Sequence, residues 1–140
     1  MTDTDATVAE ILATFATITV VGASADPAKP AHYVPAHMQR HGWQIIPVNP
    51  RRPEILGTIA SATLAEVEQP VEFVNVFRPS AQTPDVVRQA VAVGARAMWL
   101  QLDIYSAEAE EIARAAGLLY VQNRCLLVEQ RRLGLKAPAG

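Results

Sequence analysis

The sequence predicts a single doubly wound α/β domain: a five-stranded parallel sheet in the order 3-2-1-4-5, with helices on both faces. Three observations carry this. The 140 residues fit the usual span of one domain. Five short apolar, β-branched runs recur along the chain, each continuous rather than alternating, as strands covered on both faces require. Between them lie stretches of helical character, most closed by a glycine.

Residues 1–16 open with a helix over Asp5 to Phe15, rich in helix formers, and the domain proper is expected over 17–135. Its first strand is Ile18-Thr19-Val20-Val21, followed by a helix over Tyr33 to His41 that ends at Gly42. Pro35 would break a helix interior, so this helix is expected to begin near His32, which puts the proline in the first turn where its missing N–H costs little. The second strand, Ile45 to Val48, leads through a helical stretch over Thr63 to Glu68 into the third, Phe73 to Phe77. Helices over Pro84 to Val93 and Ala107 to Ala116 flank the fourth strand, Ala97 to Leu100, and the fifth is Leu118 to Val121. Beyond it, Leu126, Leu127 and Leu133 are able to cover a sheet edge or another subunit, and 136–140 reads as a flexible tail.

Half the residues are hydrophobic and 19% are charged, which excludes intrinsic disorder. Twelve Lys+Arg against fourteen Asp+Glu leave a net charge of −2, which does not mark a nucleic-acid surface. One cysteine, Cys125, excludes an internal disulfide framework and a multi-cysteine metal site. The start lacks the basic and apolar regions of a signal peptide, and no run approaches the roughly 18 apolar residues of a membrane span. The expectation is a cytoplasmic protein with neither a nucleic-acid nor a membrane partner.

Open parallel sheets bind ligands beyond the carboxyl ends of their strands, so those ends are where chemistry is sought. The first strand ends in Gly22-Ala23-Ser24-Ala25-Asp26-Pro27-Ala28-Lys29. Gly22 allows close backbone approach, Ser24 offers a hydroxyl and Lys29 a charge, ahead of a helix N-terminus; together these suit a phosphate, although a plain turn uses Gly, Asp and Pro as well. The segment is neither G-x-G-x-x-G nor a P-loop, and it lacks the last glycine of a nucleophile elbow. The second strand ends in Asn49-Pro50-Arg51-Arg52, where an NAD site would carry an acid. Arginine there favours a ribose phosphate, which NADP bears at the 2′ position and coenzyme A at the 3′ position, with Arg52 able to share the contact.

The remaining strands end in Phe77-Arg78, Trp99-Leu100-Gln101 and Gln122-Asn123-Arg124-Cys125. Arg78 is placed to meet a diphosphate, and Gln101 and Asn123 carry amides able to pair with a ligand amide. Trp99 and Phe77 read as core or pocket wall, and Cys125 as a small hydrophobe rather than a nucleophile. His37 and His41 stand four apart on one helix face, yet no third ligand or adjacent glutamate completes a metal site. No catalytic residue and no metal ligand is assigned.

Taken in order, V-V-G-A-S-x-D-P-x-K-P, H-G-W-x-I-I-P-V-N-P-R, E-I-L-G, N-V-F-R-P-S, G-A-R-A-M-W-L-Q and N-R-C resemble the small single-domain CoA-binding proteins, which are similar to the CoA-binding domain of the succinyl-CoA synthetase α subunit. The resemblance runs from about Ile18 to Arg132. It implies a Rossmann-like fold holding coenzyme A or an acyl-CoA at the carboxyl edge, without catalysis of its own. By position, Gly22, Ala23, Ser24 and Lys29 would line the phosphates, Asn49, Pro50 and Arg51 the adenosine and its 3′-phosphate, and Phe77 and Arg78 the diphosphate or pantetheine. Gln101, Asn123, Arg124 and Cys125 match family positions that serve the thiol end or the fold. His32 and Pro35 depart from the family pattern. The rival readings are an NADP-dependent enzyme, disfavoured by the missing glycines, and an interaction subunit that binds no nucleotide, disfavoured by Gly22, Lys29, Arg51 and Arg78.

Overall fold

The computed structural model describes residues 2–139. Helix α1 (Asp3–Thr14) opens the chain, capped by Thr2, whose hydroxyl accepts the Asp5 N–H while the Asp5 carboxylate accepts the Thr2 N–H. Then follow β1 (Thr17–Val21), α2 (Pro30–Arg40), β2 (Gln44–Val48), a hairpin of β3 (Glu54–Ile55) and β4 (Thr58–Ile59), and β5 (Phe73–Val76). Helix α3 (Thr83–Ala92), β6 (Ala97–Leu100), α4 (Ala107–Ala115), β7 (Leu119–Val121) and α5 (Leu126–Leu133) complete it. The large sheet is parallel throughout, in the order β2-β1-β5-β6-β7. Its strands are buried on both sides, as their unbroken apolar runs require. One core joins the sheet to α1, α2 and α5 around Trp43, Phe73 and Trp99; the other joins it to α3 and α4 around Val74, Val87 and Met98.

The doubly wound sheet is therefore as expected, and its strand order is not. Phe73–Val76, expected outside the second strand, lies on the far side of β1, so the five parallel strands run 2-1-3-4-5 in chain order. The outer flank of β2 is taken by extended backbone at Ser61, whose N–H donates to Pro47 O (3.1 Å) and whose carbonyl accepts the Asn49 N–H (2.9 Å). With that edge satisfied, the free edge of β1 is the one left to pair, and a strand apolar on both sides is covered there by both helix layers. The helix expected over Thr63 to Glu68 is a single 3-10 turn, Leu64–Glu66, because the Glu66 side chain is drawn back onto the Ala62 N–H and onto Arg52.

Helix α2 begins at Pro30, two residues before the expected start, so Pro35 sits inside it. The carbonyl that Pro35 cannot serve, Ala31 O, accepts the Ser24 N–H instead at 3.1 Å. The apolar residues after the fifth strand form α5, which packs on α1 and α2. In the expected tail, the Ala137 N–H donates to His41 O (3.0 Å), while Gly140 lies outside the described residues.

The histidine pair joins helices. His37 Nε2 donates to Gln130 Oε1 (2.6 Å) on α5, and Gln130 Nε2 donates to Leu135 O, while His41 Nδ1 donates to the His37 carbonyl. Burial pushes the His37 imidazole below its usual 6.5. The unfolded chain then binds this proton more readily than the native one, so the contribution to stability is complete above about pH 6.5 and is lost as the pH falls toward the native value. Glu66 and Asp5 are also lowered, from 4.5 and 3.8, and act in a more acidic window. The thermal midpoint should fall between about pH 7.5 and 5.5, and His37→Gln should flatten that fall; parallel profiles for the two proteins would exclude His37 as the cause.

Candidate functional site

Val21 pairs with both Val48 and Val76, so β1, β2 and β5 end level. Helix α2 leaves this edge over one face and α3 over the other, which opens a crevice between β1 and β5, the switch point of the sheet.

Gly22 sets the shape of that crevice. Its φ is +85°, and a β-carbon placed on it would lie 2.7 Å from Phe77 O and 3.0 Å from Arg78 Cδ. The backbone of β1 thus rides directly over that of β5, with the Arg78 stem across it.

Ser24 is held on three sides. Its N–H donates to Ala31 O (3.1 Å), its Oγ accepts the Asp26 N–H (3.0 Å), and its carbonyl lies 2.8 Å from His32 Nδ1, which must donate because a carbonyl only accepts. Asp26 Oδ1 accepts the Ala28 N–H, and the chain enters α2 at Pro30. The N–H groups of Ala23 and Ala25 have no acceptor among the described residues. Asn49 clamps the ends of β1 and β2: its Nδ2 donates to Ala23 O (2.9 Å) and its Oδ1 accepts the Arg51 N–H (2.9 Å).

The two adjacent arginines have different fates. Arg52 adopts a left-handed backbone, φ 54°, and donates to both Glu66 oxygens at 3.0 Å, holding that carboxyl below its usual range. Arg51 and Lys29 are exposed, and neither they nor Arg78 meet a carboxylate among the described residues. Arg78 instead donates through Nε (3.0 Å) and Nη2 (2.8 Å) to Gln82 Oε1.

Two clefts meet at this ridge. One of about 490 Å³ is lined by Gly22, Pro50, Ala62, Leu64 and Arg78, with Asp85 at its wall. The other, about 370 Å³, is lined by Lys29, Tyr33, Phe77, Gln101, Leu102 and Cys125. Most residues singled out from the sequence thus converge on one edge. Asn123 stands apart: it is exposed, left-handed at φ 57°, and its Oδ1 accepts the Asp103 N–H (2.8 Å), which fixes the loop after β6. Arg124 turns to Asp5 (3.1 Å) and Glu129 (3.0 Å), binding α5 to α1. Sequence reasoning missed His32 and the Ala31 carbonyl as supports of the Ser24 loop, and Tyr33 and Leu102 as cleft walls. The single signal in the sequence is that His32 and Pro35 depart from the family pattern within one turn of chain.

A parallel doubly wound sheet with a glycine ridge and unpaired cations at its switch point is a Rossmann-like domain. The chain belongs to the CoA-binding-domain family, which it matches over residues 16–131. It is 37% identical over 123 residues to the uncharacterized protein YneT of Bacillus subtilis, spanning 88% of this chain and 91% of that one. A solved structure from Thermus thermophilus, 38% identical, superposes with a TM-score of 0.86 over 92% of this chain and 98% of that chain. The dinucleotide-forming acetyl-coenzyme A synthetase 1 of Ca. Korarchaeum cryptofilum shares the fold alone, with a TM-score of 0.70 at 20% identity over 83% of this chain and 27% of that chain.

The Gly22 ridge is testable against Gly94, which has a similar φ of +87° but open space around it. Left-handed backbone costs an L residue about 1–2 kcal/mol, so Gly94→Ala should lose that much stability in urea and Gly22→Ala more, through the added collision with Phe77. Equal losses would show that close approach is not the constraint on Gly22.

Proposed function

We propose that this protein binds coenzyme A along the carboxyl edge. The observation that carries the reading is the set of groups about the Gly22 ridge, with a cleft on each side: the Ala23 and Ala25 N–H groups, which have no acceptor among the described residues, and the cations Lys29 and Arg78, which meet no carboxylate among them. A diphosphate over Ala23 and Ser24 would meet these donors beside the Arg78 stem, with Gly22 adding no side chain of its own. The wider cleft then takes the adenosine, with Pro50 at its wall and Arg51 beside it for the 3′-phosphate. The narrower cleft takes the pantetheine arm, between Phe77 and Cys125. Asn49 acts through the backbone it clamps, and the pairing of Arg52 with Glu66 leaves Arg51 as the arginine of this loop whose charge is unspent.

A charge-assisted bond from Arg51 to the 3′-phosphate is worth roughly 1.5–3 kcal/mol, so removing either partner should weaken binding about ten- to a hundredfold, and the two losses should not add. In calorimetric titration the unaltered protein should prefer CoA to 3′-dephospho-CoA, Arg51→Ala should bind both alike, and Arg52→Ala should resemble the unaltered protein. NADP binding more tightly than CoA, or equal affinity of the unaltered protein for both CoA forms, would refute the assignment.

Cys125 gives an independent readout. If the sulfur end of the arm reaches it, the Cys125 thiolate attacks CoA disulfide, the CoA S–S bond breaks, and one CoA departs as its thiolate. Intact mass should then show one CoA adduct that Cys125→Ser lacks; absence of the adduct at alkaline pH would remove Cys125 from the site.

A further inference from the structure

Gln101 directly follows β6 at the narrower cleft, 4% exposed, and its amide is oriented by two donors. The Leu126 N–H, at 3.4 Å, and Asn75 Nδ2, at 3.3 Å, both converge on one atom of that amide, which is therefore the oxygen. Asn75 is itself oriented without ambiguity, since its Nδ2 also donates to the Trp99 carbonyl (3.2 Å). The other atom of the Gln101 amide is thus an NH₂ group, and it has no acceptor among the described residues. Directing Asn75 Nδ2 at Gln101 leaves Asn75 Oδ1 buried with no partner. Two buried amides are in this way arranged to keep one donor free at a cleft walled by Val34, Phe77 and Ile104.

A free donor on an apolar wall selects a neutral acceptor, a carbonyl oxygen. Its position says which one. Cys125 immediately precedes Leu126, whose N–H is bound to Gln101, so Cys125 and Gln101 are neighbours in the lining of one cleft. A carbonyl bonded directly to sulfur exists in a thioester, whereas free CoA brings a bare thiol there and its nearest amide carbonyl several bonds back. At the mouth, Tyr33 and Leu102 are 45% and 55% exposed, an apolar lip beyond the donor on which an acyl group can rest, with the charged Lys29 and Asp103 also exposed there.

We propose that Gln101 donates its amide N–H to the thioester carbonyl of an acyl-CoA, so that short acyl thioesters are bound in preference to the free thiol. This rests on the CoA reading above. Asn75 is a positioning residue for Gln101.

The test is calorimetric titration of the unaltered protein with CoA, acetyl-CoA and S-ethyl-CoA, the last being a thioether that lacks the carbonyl. Acetyl-CoA should bind about three- to tenfold more tightly than S-ethyl-CoA, the value of one hydrogen bond, and Gln101→Leu should abolish the difference between these two ligands. Equal binding of acetyl-CoA and S-ethyl-CoA by the unaltered protein overturns the proposal even if the variant fails to fold. So does Gln101→Leu weakening all three ligands alike, which would put Gln101 on a pantetheine amide. In both cases CoA still binds and the broader reading stands; binding of none of the three would overturn both.

Discussion

A β-carbon at Gly22 would lie 2.7 Å from the Phe77 carbonyl oxygen, a separation that real β-carbons do not occupy, and the site is organised around its absence. With no side chain there, the end of β1 settles onto the backbone of β5 and the Arg78 stem crosses above it. The Gly22 N–H then reaches Val48 O and the Phe77 N–H reaches Val21 O, so the ends of three neighbouring strands are tied together. Asn49 extends the same tie to Ala23, and the loop that follows is drawn to a fixed height above the sheet. Each cleft takes one wall from this ridge.

The loop is tied down because a helix with a defect stands beside it. Pro35 removes an N–H from the interior of α2, and the Ala31 carbonyl it leaves unserved turns to Ser24. His32 closes the second half of the arrangement by donating to the Ser24 carbonyl. Ser24 is thus fixed through both backbone groups, and its Oγ is engaged by Asp26. What is a conflict in local propensity becomes a tie between helix and loop, since the orphaned acceptor finds a donor seven residues earlier in the chain.

Charge is distributed with the same economy. A net charge of −2 hides an edge where Lys29, Arg51 and Arg78 lack carboxylate partners among the described residues, while Arg52, Arg88, Arg96 and Arg114 are each matched to a glutamate. Where the two ends of the chain meet, Arg124 and Arg132 are gathered around Asp5 and Glu129, which fastens α5 to α1 and commits the charge of the N-R-C segment to the fold. Net charge gives no warning of this, because it sums groups that the fold keeps apart.

The sequence by itself determined the five strands of the large sheet and helices α1 to α4, because continuous apolar runs and helix-closing glycines are local signals that burial on both faces imposes. It also placed Gly22, Lys29, Arg51 and Arg78 at the carboxyl edge, since a strand end is a position along the chain. Which strand neighbours which was decided by the tertiary structure: Ser61 occupies the outer flank of β2 through two backbone bonds, and no side-chain pattern announces a one-residue bridge. The same holds for the separation of Arg51 from Arg52, for the removal of Asn123 to a loop, and for the start of α2 ahead of Pro35. Each depends on an acceptor or a donor contributed from elsewhere in the chain, Glu66, Asp103 or Ser24, and a hydrogen bond between distant residues exists only once folding has brought its two ends together.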